Sequence, residues 1–201
     1  LHYNERSPGK TISDPGDFTL PGSSHPYRDW KKEGHGSVDM FKSIVVSCDT
    51  YYYGLATDLG IDRISSYLPR FGFGKKTGID LEGETSGLLP SQEWKKKRYQ
   101  QIWYPGDTVS VGIGQGYSLV TPMQLAVATA TLANNGVGYK PHLVREVRSS
   151  RSDENHLMAN KPEFDLKIEP AHLDLVKRAM AAVTQPGGTA VQAAAGAPYH
   201  I

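Results

Sequence analysis

A helical repeat of apolar residues between Met40 and Leu59 carries the polar pair Ser47 and Asp49 at its centre, flanking the only cysteine of the chain. From Ser37, read as an N-cap, the apolar positions are Met40, Phe41, Ile44, Val45, Cys48, Tyr52, Leu55 and Leu59, and Gly60 closes the pattern. On an unbroken helix, positions two apart point about 200° from each other, so Ser47 and Asp49 would face opposite ways. If both serve one cleft, the helix must break between Val46 and Thr50, and Asp49 becomes the N-cap of a second helix running to Leu59. A capping aspartate beside an ordinary surface serine would satisfy the same pattern.

Around this region the sequence predicts a mixed α/β fold dominated by helices, of one-domain length at 201 residues. Residues 1–36 are rich in Pro, Gly, Ser and His and read as extended segments and turns. Residues 37–135 form the helical part. It includes a short helix Asp62–Leu68 with Ile64 and Leu68 inward, glycine-rich loops to Pro90, and a charged surface helix Ser91–Arg98. A turn follows at Pro105-Gly106. The helix from Thr121 opens with Pro122 at its first position and Gln124 completing a capping box, and its face of Leu125, Ala128, Thr131 and Leu132 is expected in the core. Residues 136–201 contain a strand over His142–Val147, an exposed polar excursion Arg148–Lys161, a helix Pro170–Val183 and a short helix Thr189–Ala195.

Twenty-two basic residues against 21 acidic ones give a formal charge of +1, which argues against nucleic acid and anionic membrane surfaces as partners. No apolar run approaches the roughly 20 residues that span a bilayer. Gly112-Ile113-Gly114-Gln115-Gly116 lacks the pattern of a phosphate loop and reads as a tight turn, and Lys95-Lys96-Lys97-Arg98 reads as a solvated helix face.

Asp14, Asp29, His35 and Cys48 are four zinc-competent side chains separated by 15, 6 and 13 residues. Thiolate, imidazole and carboxylate suit tetrahedral zinc, and loops can gather ligands that one helix could not. The spacing matches no finger pattern. A buried cysteine, a histidine at a helix start and an Asp-Pro-Gly turn explain the same residues without a metal.

Ser47-Cys48-Asp49 with the aromatic run Tyr51-Tyr52-Tyr53 resembles the SxN motif of penicillin-binding proteins, in an SxD form. Phe71-Gly72-Phe73-Gly74, Thr77-Gly78-Ile79-Asp80-Leu81, Gly106-Asp107-Thr108 and Gly112 to Gly116 followed by Thr121-Pro122 are similar to the same family in order and spacing. Trp30, His35-Gly36 and Trp94-Lys95 resemble the elongation-type members. The resemblance implies part of the serine β-lactamase and penicillin-binding-protein transpeptidase fold. It implies a D,D-transpeptidase that cross-links peptidoglycan stem peptides, is acylated by β-lactams, and works with a RodA-type glycan polymerase at the periplasmic face of the inner membrane.

Three motifs build such a site, SxxK, SxN and KTG. The resemblance places SxxK before Leu1 and the KTG strand after Ala197 to Ile201. The chain is therefore read as an internal piece holding one motif of three, inactive by itself. Ser47 inherits a place in the proton network and Asp49 the contact to the substrate amide, although a carboxylate, unlike an amide, has no N–H to donate. Some family members bind structural zinc through Asp, Asp, His and Cys, which implies Asp14, Asp29, His35 and Cys48 as ligands, with His25 in reserve. A β-lactamase or β-lactam sensor, or a non-catalytic scaffolding domain, are the competing readings.

Overall fold

A computed structural model describes residues 1–150, 155–158 and 160–197, which form two compact units. In chain order the elements are β1 (Ile12–Asp14), β2 (Asp17–Thr19), β3 (Pro26–Arg28), β4 (Gly36–Val38), α1 (Met40–Val45), α2 (Asp49–Leu59), α3 (Ile61–Tyr67), α4 (Gln92–Tyr99) and α5 (Pro105–Gly112). They continue with α6 (Pro122–Ala133), β5 (Val137–Tyr139), β6 (Glu146–Arg148), β7 (Asn155–Leu157), β8 (Pro162–Asp165) and α7 (Pro170–Ala182). The mixed, helix-dominated fold class is as expected.

The first unit comprises Leu1–Ser65, Pro90–Tyr117 and Glu169–Ile201. Its short strands pair antiparallel, β1 with β4 and β2 with β3, and so fold the turn-rich segment into two narrow ribbons. Val38, Met40, Cys48 and Tyr51 form the buried centre, with Ile12, Val46, Leu55 and Leu175 packed around them. Helix α1 packs on α7 and α2 on α5. The second contact is close because Gly112 has no side chain: a Cβ there would lie 2.4 Å from Ala56 Cβ. The Arg6 guanidinium sits 4.8 Å over the Tyr51 ring, donates to the Tyr51 carbonyl and pairs with Asp58, which ties the N-terminal segment to α2.

The helix break falls where the geometric argument requires it, since α1 ends at Val45 and α2 begins at Asp49. Its caps differ from expectation. Ser37 lies in β4 opposite Ser13, and Asp39 caps α1 by accepting from the Lys42 N–H at 2.8 Å. The N-cap of α2 is Cys48, so Asp49 occupies the first helical turn, where its charge complements the helix dipole.

Three further expectations are corrected. The turn at Pro105-Gly106 is the start of α5: Pro105 takes the first position, and Asp107 accepts from the Tyr104 N–H at 2.8 Å, closing the end of the helix. Helix α4 is not simply solvated, because Lys95 is 2% exposed, ion-paired with Asp107 and faced by the rings of Trp103, Tyr104 and Tyr117. The expected strand at His142–Val147 is shortened to β6, because the Asp80 carboxylate takes the Leu143 and Val144 N–H groups at 2.6 and 2.9 Å.

The second unit, Ser66–Leu89 and Ser118–Ile168, is organised by α6, whose capping box of Thr121 and Gln124 forms as read. The buried face of α6 is Gln124, Ala128 and Thr131, while Leu125 is exposed. Gln124 is inside because its amide donates to the carbonyls of Lys75 and Ser86, an arrangement that an apolar side chain could not make. Strand β5 pairs with β8, and β6 with β7 inside the expected polar excursion. Residues 151–154 and 159 of that excursion, and 198–201 of the expected pre-strand segment, lie outside the described residues.

Candidate active-site turn and metal centre

Ser47 has φ 53°, a left-handed conformation that costs a non-glycine residue about 1 kcal/mol or more. The conformation reverses the chain after α1 and presents the Ser47 side chain to solvent. It persists because the turn is gripped from outside. The Trp30 indole Nε1–H donates to the Val46 carbonyl at 3.0 Å, and the Trp30 backbone N–H donates to Asp49 Oδ2 at 3.1 Å. The Thr189 N–H donates to the Val45 carbonyl at 3.2 Å, and the Thr189 and Ser47 hydroxyls are 3.0 Å apart. Burial raises the pKa of Asp49, against the opposing pull of the Trp30 N–H.

Cys48 points the other way, into the core. Ligand atoms of Asp14, Asp29, His35 and Cys48 all lie within 4.8 Å of one another. His35 Nδ1 stands 2.7 Å from Asp14 Oδ2 and 3.5 Å from Asp29 Oδ1, and the Cys48 thiol lies 3.4 Å from Asp14 Oδ2. Asp14 also takes the Gly16 and His35 N–H groups, and Asp29 takes those of Lys31 and Thr50. Asp29 therefore supplies the side-chain cap of α2 that Cys48 does not. The loop walls meet backbone to backbone: a Cβ on Gly34 would lie 2.1 Å from the Asp14 carbonyl.

Two carboxylates, a thiol and an imidazole buried together fit a divalent cation. With bonds of roughly 2.0–2.3 Å, tetrahedral zinc separates its ligand atoms by roughly 3.3–3.8 Å, inside the 2.7–4.8 Å range over which these atoms lie. Burial and the neighbouring carboxylates Asp14 and Asp29 push the Cys48 thiol up to about 12. A bound cation inverts that logic by favouring the thiolate. Burial alone would raise the Asp14 pKa, but the N–H groups of Gly16 and His35 and the imidazole hold it near 2, so Asp14 stays an anion. His35 Nε2 is buried without a partner among the described residues. His25 stands apart, exposed and edge-on to Tyr27.

Ser47 and Asp49 thus share the break, but Asp49 Oδ2 is committed to Trp30. The sequence reading missed Thr189, 142 residues from Ser47. The only local sign of it was the Gly187-Gly188 turn after α7.

A tetrapeptide and a tripeptide correct the expectation that the letters of SxxK and KTG have no counterpart in the chain. Ser7-Pro8-Gly9-Lys10 has the SxxK spacing, and Lys76-Thr77-Gly78 has the KTG letters. The first closes a turn, Lys10 N–H to the Ser7 carbonyl, instead of the helical turn that would set serine and lysine on one face. The second lies in a loop whose Thr77 and Gly78 N–H groups are taken by the Glu84 carboxylate, not on a strand edge.

A family profile described as "Penicillin binding protein transpeptidase domain" matches residues 7–201. The chain belongs to the penicillin-binding protein transpeptidase family. It is 46% identical over 189 residues to the peptidoglycan D,D-transpeptidase MrdA of Acinetobacter baumannii, covering 93% of the chain and 28% of that protein. Against MrdA of Escherichia coli K12 it is 43% identical over 192 residues, covering 95% of the chain and 30% of that protein. The chain thus spans under a third of the length of these transpeptidases. Among solved structures, Pseudomonas aeruginosa PBP2 in complex with WCK 5153 superposes at a TM-score of 0.87 with 40% identity, over 98% of this chain and 42% of that one. PBP2 in its complex with MreC from Helicobacter pylori gives 0.81 and 32%, over 97% and 34%. The transpeptidase fold and the PBP2-like character of the family motifs are therefore as the sequence implied.

Proposed function

We propose that this chain is the SxN-bearing part of an elongation-type peptidoglycan D,D-transpeptidase that cross-links stem peptides at the periplasmic face of the inner membrane. The observation that carries the reading is the exposed Ser47 hydroxyl on a left-handed turn anchored by Trp30 and Thr189. Among the described residues no helix is long and apolar enough to cross a membrane.

In the proposed reaction the SxxK serine of the family bonds through its oxygen to the carbonyl carbon of the penultimate D-Ala. Its proton passes to the neighbouring lysine, the peptide C–N bond breaks, and the departing D-Ala nitrogen takes a proton. The amine of a second stem peptide then attacks the ester, gives up a proton, and returns the serine to its hydroxyl. Ser47 holds the proton path between lysine and leaving nitrogen. Asp49, with Oδ2 spent on Trp30, keeps Oδ1 to accept from a substrate amide N–H. A β-lactam enters by the same first step, with its ring amide as the bond broken.

Asp14, Asp29, His35 and Cys48 are proposed to hold one zinc ion. Four protein ligands leave no open position, so the ion would be structural, fixing the Cys48 backbone and hence the turn on both sides of it. Stem peptides, β-lactams and a RodA-type glycan polymerase are the proposed partners. The similarity to a PBP2 solved with MreC, and to a peptidoglycan synthase complex at 27% identity and a TM-score of 0.76, supports a place in such an assembly.

The test is acylation of the full-length parent by a fluorescent penicillin. Ser47→Ala should slow labelling by about 100-fold or more while costing no more stability than one hydrogen bond, about 1 kcal/mol. Labelling at the parental rate in that variant would sink the assignment of Ser47.

A further inference from the structure

We infer that Thr189 is a positioning residue for Ser47, its hydroxyl setting the direction in which the Ser47 proton points. The inference rests on the function proposed for Ser47 and adds a residue that the three motifs do not include.

Thr189 reaches the turn by a built route. Helix α7 packs on α1, and after α7 the chain reverses through Gly187, at φ 93°, and Gly188, where a Cβ would lie 2.1 Å from the Val183 carbonyl. The Ala190 N–H donates back to that carbonyl at 3.0 Å, which fixes the residue between them. Thr189 then makes two contacts of different kinds with the turn. Its backbone N–H holds the Val45 carbonyl, and its hydroxyl meets the Ser47 hydroxyl at 3.0 Å.

A hydroxyl has one proton and two acceptor lone pairs. If the Thr189 O–H donates to Ser47 Oγ, the Ser47 proton is turned away from Thr189 and the remaining lone pair is placed as well. Without Thr189 the Ser47 hydroxyl rotates freely, and the fraction of molecules with the proton on the productive path falls. The backbone contact to Val45 needs no particular side chain. Thr189→Val keeps the shape, the β-branch and that contact, and removes only the hydroxyl; Thr189→Ser restores it.

The experiment uses the full-length parent protein and a β-lactam, separating the affinity of the initial complex from the rate constant of acylation. Thr189→Val should leave initial affinity unchanged and the protein folded at the assay temperature and slow acylation about tenfold, in line with the loss of one orienting hydrogen bond, and Thr189→Ser should recover most of the rate. Ser47→Ala is measured alongside. If the parent is not acylated, or if Ser47→Ala acylates normally, the proposed function fails and the inference with it. If Ser47→Ala is impaired while Thr189→Val acylates at the parental rate, or if Thr189→Ser is as slow as Thr189→Val, the function stands and the role of Thr189 is overturned.

Discussion

Trp30 holds Asp49 through its backbone N–H at 3.1 Å while its indole holds Val46, so one residue of the turn-rich segment spans the break between α1 and α2. Trp30→Phe should remove the indole contact alone and cost about 1 kcal/mol in a urea titration. The Asp49 contact, being to the backbone, should survive the substitution. A Trp30→Phe protein as stable as the parent would show that the turn is held without the indole.

The proposed zinc site predicts about one equivalent of zinc in protein purified without chelator. Chelation, or Cys48→Ala, should cost several kcal/mol and increase hydrogen exchange around Ser47, because ligand binding is coupled to folding. Metal content far below one equivalent, together with a Cys48→Ala protein of parental stability, would reduce Cys48 to a buried hydrophobe.

Lys95 and Asp107 should be strongly coupled. Asp107→Asn leaves the Lys95 ammonium buried without its carboxylate and should cost about 3 kcal/mol or more. Lys95→Met combined with Asp107→Asn should recover most of that loss, since Asn retains an acceptor for the Tyr104 N–H. Simple additivity of the two replacements would disprove the coupling.

Gly112→Ala should destabilise by about 1–3 kcal/mol, because the new methyl would meet Ala56 Cβ and α2 and α5 must separate. Pairing it with Ala56→Gly should return part of the loss; a neutral Gly112→Ala in thermal unfolding would show that the contact is looser than described.

Acid should loosen the loop from Thr77 to Glu84. Hydrogen bonds from the Thr77 hydroxyl and N–H and the Gly78 N–H lower the Glu84 pKa below the ordinary 4.5. The carboxylate therefore contributes stability above pH 4.5 that is lost as pH falls through the lower folded-state value. Glu84→Gln should flatten this dependence, read as amide exchange of Thr77 and Gly78 between pH 6 and pH 3, taken as about the limits of the window.

The features legible in the sequence were those in which local chemistry and burial agree. The capping box at Thr121 and Gln124 formed as read, and the demand that Ser47 and Asp49 share one cleft located the helix break. The four candidate ligands were named from residue type and family resemblance, and the loops do gather them. Helix α5 was missed because Pro105-Gly106 serves equally well as a turn or as the start of a helix, and only the burial of Thr108, Val109 and Val111 decides between them. Gln124 and Lys95 lie inside because of partners far along the chain or in the next helix, which periodicity does not register. Three-residue strands are too short to show alternation. Beyond the Gly187-Gly188 turn before it, Thr189 gave no signal, since its meaning comes from a contact made 142 residues away.

The backbone at Ser47 sets fold and chemistry against each other. A left-handed φ favours Gly, Asn or Asp, and Ser47→Gly would relieve the turn at no steric cost. Each of those exchanges discards the hydroxyl. A library selected only for heat resistance should therefore drift at this position towards glycine or asparagine, while one selected for the transpeptidation proposed above should keep serine and pay the difference elsewhere. Sequencing the two outcomes side by side would measure how much folding free energy the cell forgoes to retain a single oxygen.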